Sequence, residues 1–400
     1  MRKPLRLLVL LNQWFGDEVN RLLKRLEHLD QSTRKPRRTH EPISELKGHM
    51  VHRFVFVATL FAASILAACA AHSTPLAKHQ FKEPLNCPCP TIAPLMTVQL
   101  PGEVPFGSGA YIGGIATGPD GNVWVAESDA NRIARVTVGG VVTEFSSGLS
   151  PNAGPELINP GPDGNLWFTE LNYNTIGRIT TSGVITEFPL PAPLSTAPSN
   201  LQDIHAGPDG NLWFTHSGAN AIGVLSTSGT LLATYNVPTA NATPTFIIAG
   251  PDNNLWFVEE TGDKIGRITT TGTMTEFIVP TANSVPKNLA VGIDGNMWFP
   301  ERDGANVDRI TTAGLITEFP VPATIYQDRL RRITATPDGY LWFVQAEVFA
   351  PYNSEVGKMD TNGTVLDLWS FPNGLPQAIT TGPDGNPWFT DNATDSVIRL

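Results

Sequence analysis

The chain has 400 residues, a formal net charge of −10, 41% apolar and 16% charged residues, 36 Gly, 34 Pro and 3 Cys. So few charges exclude a coiled coil or a charge-driven disordered chain, Gly and Pro without a three-residue period exclude collagen, and three Cys exclude a disulfide-stapled fold. A large, turn-rich globular protein stabilised by packing remains.

Charge divides the chain. Residues 1–95 carry 14 Lys+Arg against 7 Asp+Glu, whereas residues 96–400 carry 13 against 30. The acidic part repels polyanions, so no nucleic-acid partner is expected. In the basic part, Phe15, Val19, Leu22, Leu23, Leu26 and Leu29 share one face of an amphipathic helix, followed by Arg34, Lys35, Arg37 and Arg38. No function is assigned to residues 1–49, which read as an upstream extension or a mis-assigned start before Met50.

Residues 50–69 read as a signal peptide: His52 and Arg53 precede an apolar run from Phe54 to Leu66 that is too short for a stable transmembrane helix. Its end, Leu66-Ala67-Ala68-Cys69, resembles the bacterial lipobox and predicts lipidation at Cys69; an ordinary secretory signal with an incidental Cys69 is the other reading. The expected location is the bacterial cell envelope, lipid-anchored or periplasmic or extracellular, with membrane contact only through the lipid. Residues 70–95 are a Pro/Ala-rich tether. Its Cys87-Pro88-Cys89 would make a strained disulfide ring and offers too few ligands for a metal; free thiols or partner contacts are equally compatible.

From residue 96 onward one phrase recurs. GPDGN or a variant followed by Trp appears seven times, at Trp124, Trp167, Trp213, Trp256, Trp298, Trp342 and Trp388, so seven of the nine Trp fall on one period of about 43 residues. Within a unit such as 156–190, alternating β-branched stretches are separated by Asp-Gly and Ser-Gly turns, which predicts four short antiparallel strands. The fold class is therefore all-β, a seven-bladed β-propeller over residues 96–400. The last unit holds only three strands, and Met96-Thr97-Val98-Gln99-Leu100-Pro101 matches the missing fourth, so the N-terminal strand should close the last blade.

Most recurring residues read as scaffold. The Trp indoles should pack between blades, and the Asp and Gly of GPDGN should form the turns. Arg135, Arg178, Arg267, Arg309, Lys358 and Arg399 share a third-strand position, and Glu144, Glu187, Glu276 and Glu318 a fourth-strand one, which suggests half-exposed cross-strand ion pairs. His205 reads, by strand alternation, as between-blade packing.

The phrases GPDGNLWFTE, KIGRITTTG and ITEFPLP closely resemble the virginiamycin B lyase (streptogramin lyase) family over about residues 96–400. The resemblance implies a seven-bladed propeller that opens a cyclic depsipeptide ester by β-elimination, with Mg²⁺ as cofactor. It also implies an active group of a His at the start of a first strand, a Glu fourteen residues later just after WFT, and a second His three further on. The first-strand slots here hold Gly113, Glu156, Gln202, Thr245, Lys287, Arg331 and Gln377; the second-strand slots hold Glu127, Glu170, His216, Glu259, Glu301, Gln345 and Asp391. The three-residues-on slots contain no His either, so the His–Glu–His group occurs in no blade.

Repeat equivalence points instead to a polar group on one rim of the channel. His216 and Glu259 are the catalytic candidates, Glu170 and Glu259 the metal candidates, and Glu156, Glu170, Lys287, Glu301 and Arg331 the ligand-binding candidates. The sequence thus supports an envelope-tethered, streptogramin-lyase-like propeller that binds a small molecule or peptide at the channel mouth as a monomer. The alternative is an active Mg²⁺-dependent carbon–oxygen lyase acting through a group around His216, with a channel mouth lined by merely solvated polar residues as the plainest case. A Ca²⁺-dependent lactonase has no ligand set that can be placed.

Overall fold

The computed structural model describes residues 96–99, 112–322, 329–346 and 353–400. The expectations for residues 1–95, including the signal peptide, Cys69 and the Cys87–Cys89 pair, lie outside the described residues. Each repeat forms because its turns are built from residues suited to them. In the second repeat, Asp163 accepts hydrogen bonds from the Asn165 amide and from Trp167 Nε1 (3.1 Å), while Gly164 takes φ +76° and reverses the chain. The strand that leaves this turn is buried from Leu166 to Glu170.

Repetition of this unit produces seven four-stranded antiparallel sheets. The blades occupy residues 112–145, 155–189, 201–236, 244–278, 290–320, 329–372 and 376–399. The last is completed by Met96–Gln99, which pairs with Ser396–Arg399 in the register Met96↔Arg399 to Gln99↔Ser396. The predicted closure is present, and a hydrogen bond from Thr117 Oγ1 to the Thr381 carbonyl (2.6 Å) joins the inner strands of blades 1 and 7.

The core lies between blades. Trp124 packs on Ile158, Leu166 and Phe168 of blade 2, and Trp167 on Ile204, Leu212 and Phe214 of blade 3. In blades 1 to 6 an outer-strand ring also stacks against the indole, as in Trp167–Phe188 at 5.2 Å. The arginines of the Arg135/Arg178/Arg267/Arg309 row belong to this layer and do not pair with the fourth-strand glutamates. Arg178 lies over both Trp167 and Phe188 and donates to the Thr227 carbonyl of the next blade. The reason is register: Arg178 opposes Thr186, and Glu187 opposes Gly177, so Arg and Glu stand on opposite faces of the sheet.

One irregularity governs where side chains point. In six blades the pairing of inner and second strands slips by a residue, between Pro155 and Ile158 in blade 2, for example. The threonine of WFT fills the resulting gap: Thr169, Thr215 and Thr390 Oγ1 accept from the amides of Leu157, Asp203 and Ala378. The bulge shifts the face alternation of every inner strand that carries it.

Candidate functional site

The inner strands enclose a central channel with a cavity of about 360 Å³. Its polar lining comes from Asn159, Asp203, His205, Asn288, Arg332, Thr334 and Thr381, with Phe246 as the aromatic wall. Asp203 is anchored by donors from three blades, Asn159 Nδ2 at 2.9 Å, its neighbour Ile204 N–H at 2.9 Å and Ile247 N–H at 3.0 Å. Burial raises its pKa, and the nearby charges of His205 and Arg332 oppose that rise. The Arg332 guanidinium lies 4.2 Å from the centre of the Phe246 ring. His205 therefore lines the channel and is not buried between blades; the bulge between Leu201 and Ile204 invalidates the simple alternation that placed it there.

Three of the seven first-strand slots, Glu156, Lys287 and Arg331, are charged. Ser128 Oγ donates to Glu156 Oε2 (3.1 Å), Lys287 Nζ to Glu260 Oε1 (2.6 Å), and Arg331 Nη1 to Gln377 Oε1 (2.8 Å). Each of these contacts joins two blades. Burial lowers the Lys287 pKa, and the Glu260 carboxylate offsets part of that; Arg302 and Arg332 also lie within electrostatic reach. Glu156, Lys287 and Arg331, ligand-binding candidates of the sequence, are thus each engaged across a blade boundary, Lys287 with Glu260.

The second-strand candidates lie elsewhere. Glu170, His216, Glu259 and Glu301 are all fully buried. Ser128, Glu260 and Arg302, which directly follow the second-strand slots, are the residues that meet or lie near the first-strand slots of the next blade. Glu170 faces Glu187 of its own blade, and this burial beside a second carboxylate pushes its pKa up to about 8. Glu259 likewise faces Glu276 and is pushed up to about 7 by burial, with Lys264 opposing. His216 Nδ1 accepts the Ala219 N–H (3.2 Å), and burial lowers its pKa. Glu170, His216, Glu259 and Glu301 sit in four different blades, and among the described residues no hydrogen bond or ion pair links them.

The family's Mg²⁺ does not suit the mouth. The glutamates there are Glu156, which accepts from Ser128, and Glu260, already paired with Lys287 and with Arg302 and Arg332 nearby, whereas a hard divalent cation needs several unpaired anionic oxygens. The signal that could have revealed the mouth is the residue directly after each second-strand slot, in particular the second Glu of Val258-Glu259-Glu260.

A seven-bladed propeller with a charged channel mouth is the class that fold and site define. The model of the virginiamycin B lyase family matches residues 103–348. A streptogramin B lyase structure is 34% identical, covering 76% of this chain and 96% of that chain with a TM-score of 0.66. A catalytically inactive His-to-Ala variant of virginiamycin B lyase from Staphylococcus aureus, with quinupristin, is 33% identical over 76% of this chain and 97% of that chain (TM-score 0.65). The extracellular domain of a one-component system protein from B. thetaiotaomicron shares the fold at 17% identity, over 74% of this chain and 42% of that chain (TM-score 0.59). No curated protein matches. The chain belongs to the virginiamycin B lyase family.

Proposed function

We propose that this chain is an envelope-tethered binding propeller of the virginiamycin B lyase family. It holds a small molecule or peptide at the channel mouth through an anionic group of the ligand, and it does not carry out the ring-opening elimination. The observation that carries the reading is the mouth itself, where Lys287, Arg302, Arg331 and Arg332 gather in a domain whose residues 96–400 are otherwise strongly acidic. Among the described residues histidine occurs only at 205 and 216, one in the channel wall and one buried, so no histidine pair faces a bound ester there. Elimination needs a base at the acidic Cα–H and an acid at the leaving oxygen, and the mouth supplies cationic groups for binding in their place. The envelope location rests on the signal-like segment ending at Cys69; no described helix is long and apolar enough to cross a membrane.

The competing reading, an active lyase, draws on the 34% identity to a streptogramin B lyase structure. Citrate and inorganic phosphate serve as anionic probes of the binding reading. Calorimetric titration of the purified chain should give saturable binding of at least one, weakened roughly tenfold or more in Lys287→Ala/Arg332→Ala (about 1.4 kcal/mol). Binding of neither, or binding unaffected by the double substitution, refutes the anionic mouth.

A further inference from the structure

The interior of blade 5 differs from the same place in its neighbours. In blade 4, Glu259 and Glu276 are accompanied by Lys264, whose Nζ lies 2.7 Å from Glu276 Oε2 and 2.5 Å from Thr239 Oγ1. In blade 1, Arg132 takes that role, with Nε 3.3 Å from Glu127 and Nη1 3.2 Å from Glu144. Blade 5 keeps the acid pair, as Glu301 and Glu318, and keeps the threonine, as Thr281, which donates its amide and hydroxyl to Glu318 Oε1 at 2.8 Å each. The cationic position, however, is Asn306, and the glycine that opposes Glu276 in blade 4 is Asp308, which opposes Glu318. A side chain that neutralised the site has gone, and a third carboxylate has been added.

The three carboxylates converge. One oxygen from each of Glu301, Asp308 and Glu318 lies within 4.8 Å of the others. Asp308 is fully buried, and its oxygens have no hydrogen-bond donor other than the adjoining Glu301 carboxyl; Glu301 Oε2 accepts from Asn306 Nδ2 at 2.6 Å. No described Lys or Arg forms an ion pair with any of the three. Glu318 is partly exposed and marks the way in. Three buried carboxylates this close cannot all stay ionised and unpaired.

We propose that Glu301, Asp308 and Glu318 bind a hard divalent cation, which replaces in blade 5 the ammonium of Lys264 and the guanidinium of Arg132. The buried oxygens of Asp308, without a donor outside the acids themselves, point to a ligand independently of the clustering. The donor set is all oxygen, which suits Ca²⁺ or Mg²⁺ and disfavours softer metals. The site is structural, lies within a blade rather than at the mouth, and stands or falls separately from the ligand-binding reading.

Thermal melts of the EDTA-treated, dialysed full chain, with Ca²⁺ alone and Mg²⁺ alone, test the proposal. At about a hundredfold excess over Kd, one of the two should raise the melting temperature by several degrees. Asp308→Gly, which restores the residue of blade 4, should abolish the response without lowering the metal-free melting temperature. Asn306→Lys should raise the metal-free value and remove the response, because it returns the built-in cation. The proposal fails if the wild-type chain responds to neither ion, as it would if shared protons alone relieve the repulsion, or if either variant responds as the wild type does.

Discussion

Buried acids distinguish this molecule at the level of single residues. Glu170 faces Glu187 with Thr175 in the place that Lys264 fills two blades on, and its pKa is pushed up to about 8. A carboxyl whose folded-state pKa exceeds its unfolded value takes up a proton on folding. Its contribution is therefore favourable on the acid side and is lost as pH rises from the ordinary glutamate range through about 8. Glu170→Gln removes that dependence. Melting temperatures measured from pH 5 to pH 9 should fall less steeply for the variant, which should be the more stable of the two above pH 8. Parallel curves for variant and wild type would show that Glu170 is ionised throughout. Neither the Glu170 nor the Asp308 environment could be read from the sequence. Residue spacing gives the row a glutamate belongs to, but the charge of that row's neighbours depends on which face each occupies.

At the level of strands and blades, the turn residues and the period carried most of the information. Asp163, Gly164 and Trp167 form one hydrogen-bonded unit, and the sevenfold recurrence of the phrase that encodes it defined the blades and exposed the missing strand. The inner-strand bulge left no mark in composition, because it adds one residue of ordinary type. A two-residue alternation read across it puts His205 between blades, when in fact it lines the channel. Likewise, Arg178 and Glu187 look like partners by row but stand on opposite faces. Closure by Met96–Gln99 has a mechanical consequence, since without it Ser396–Arg399 becomes an open sheet edge. A chain beginning at Ile112 should melt well below the full chain, by more than the ~0.5 kcal/mol of a typical surface substitution. It should also associate in sedimentation experiments. Equal stability and a monomeric state would mean that the strand contributes nothing to the ring.

On the scale of the whole molecule, the propeller separates two kinds of polar residue. Side chains on second strands are enclosed between blades, which is why Glu170, His216, Glu259 and Glu301 are buried and apart although the repeat aligns them. Side chains at the starts of inner strands meet across blade boundaries, which is why Glu156, Lys287 and Arg331 reach Ser128, Glu260 and Gln377. The repeat rows therefore made the strand position of each candidate legible in the sequence, but not which side chains meet across blades and which are enclosed within one. The scaffold is that of the virginiamycin B lyase family, and the proposed role of its mouth is to hold an anion. The most direct measurement is incubation of the purified chain with quinupristin and Mg²⁺, followed by reversed-phase chromatography, because elimination opens the ring without changing its mass. The cyclic compound should be recovered intact at all times; its conversion to a linear isomer, stopped by EDTA, would contradict the account.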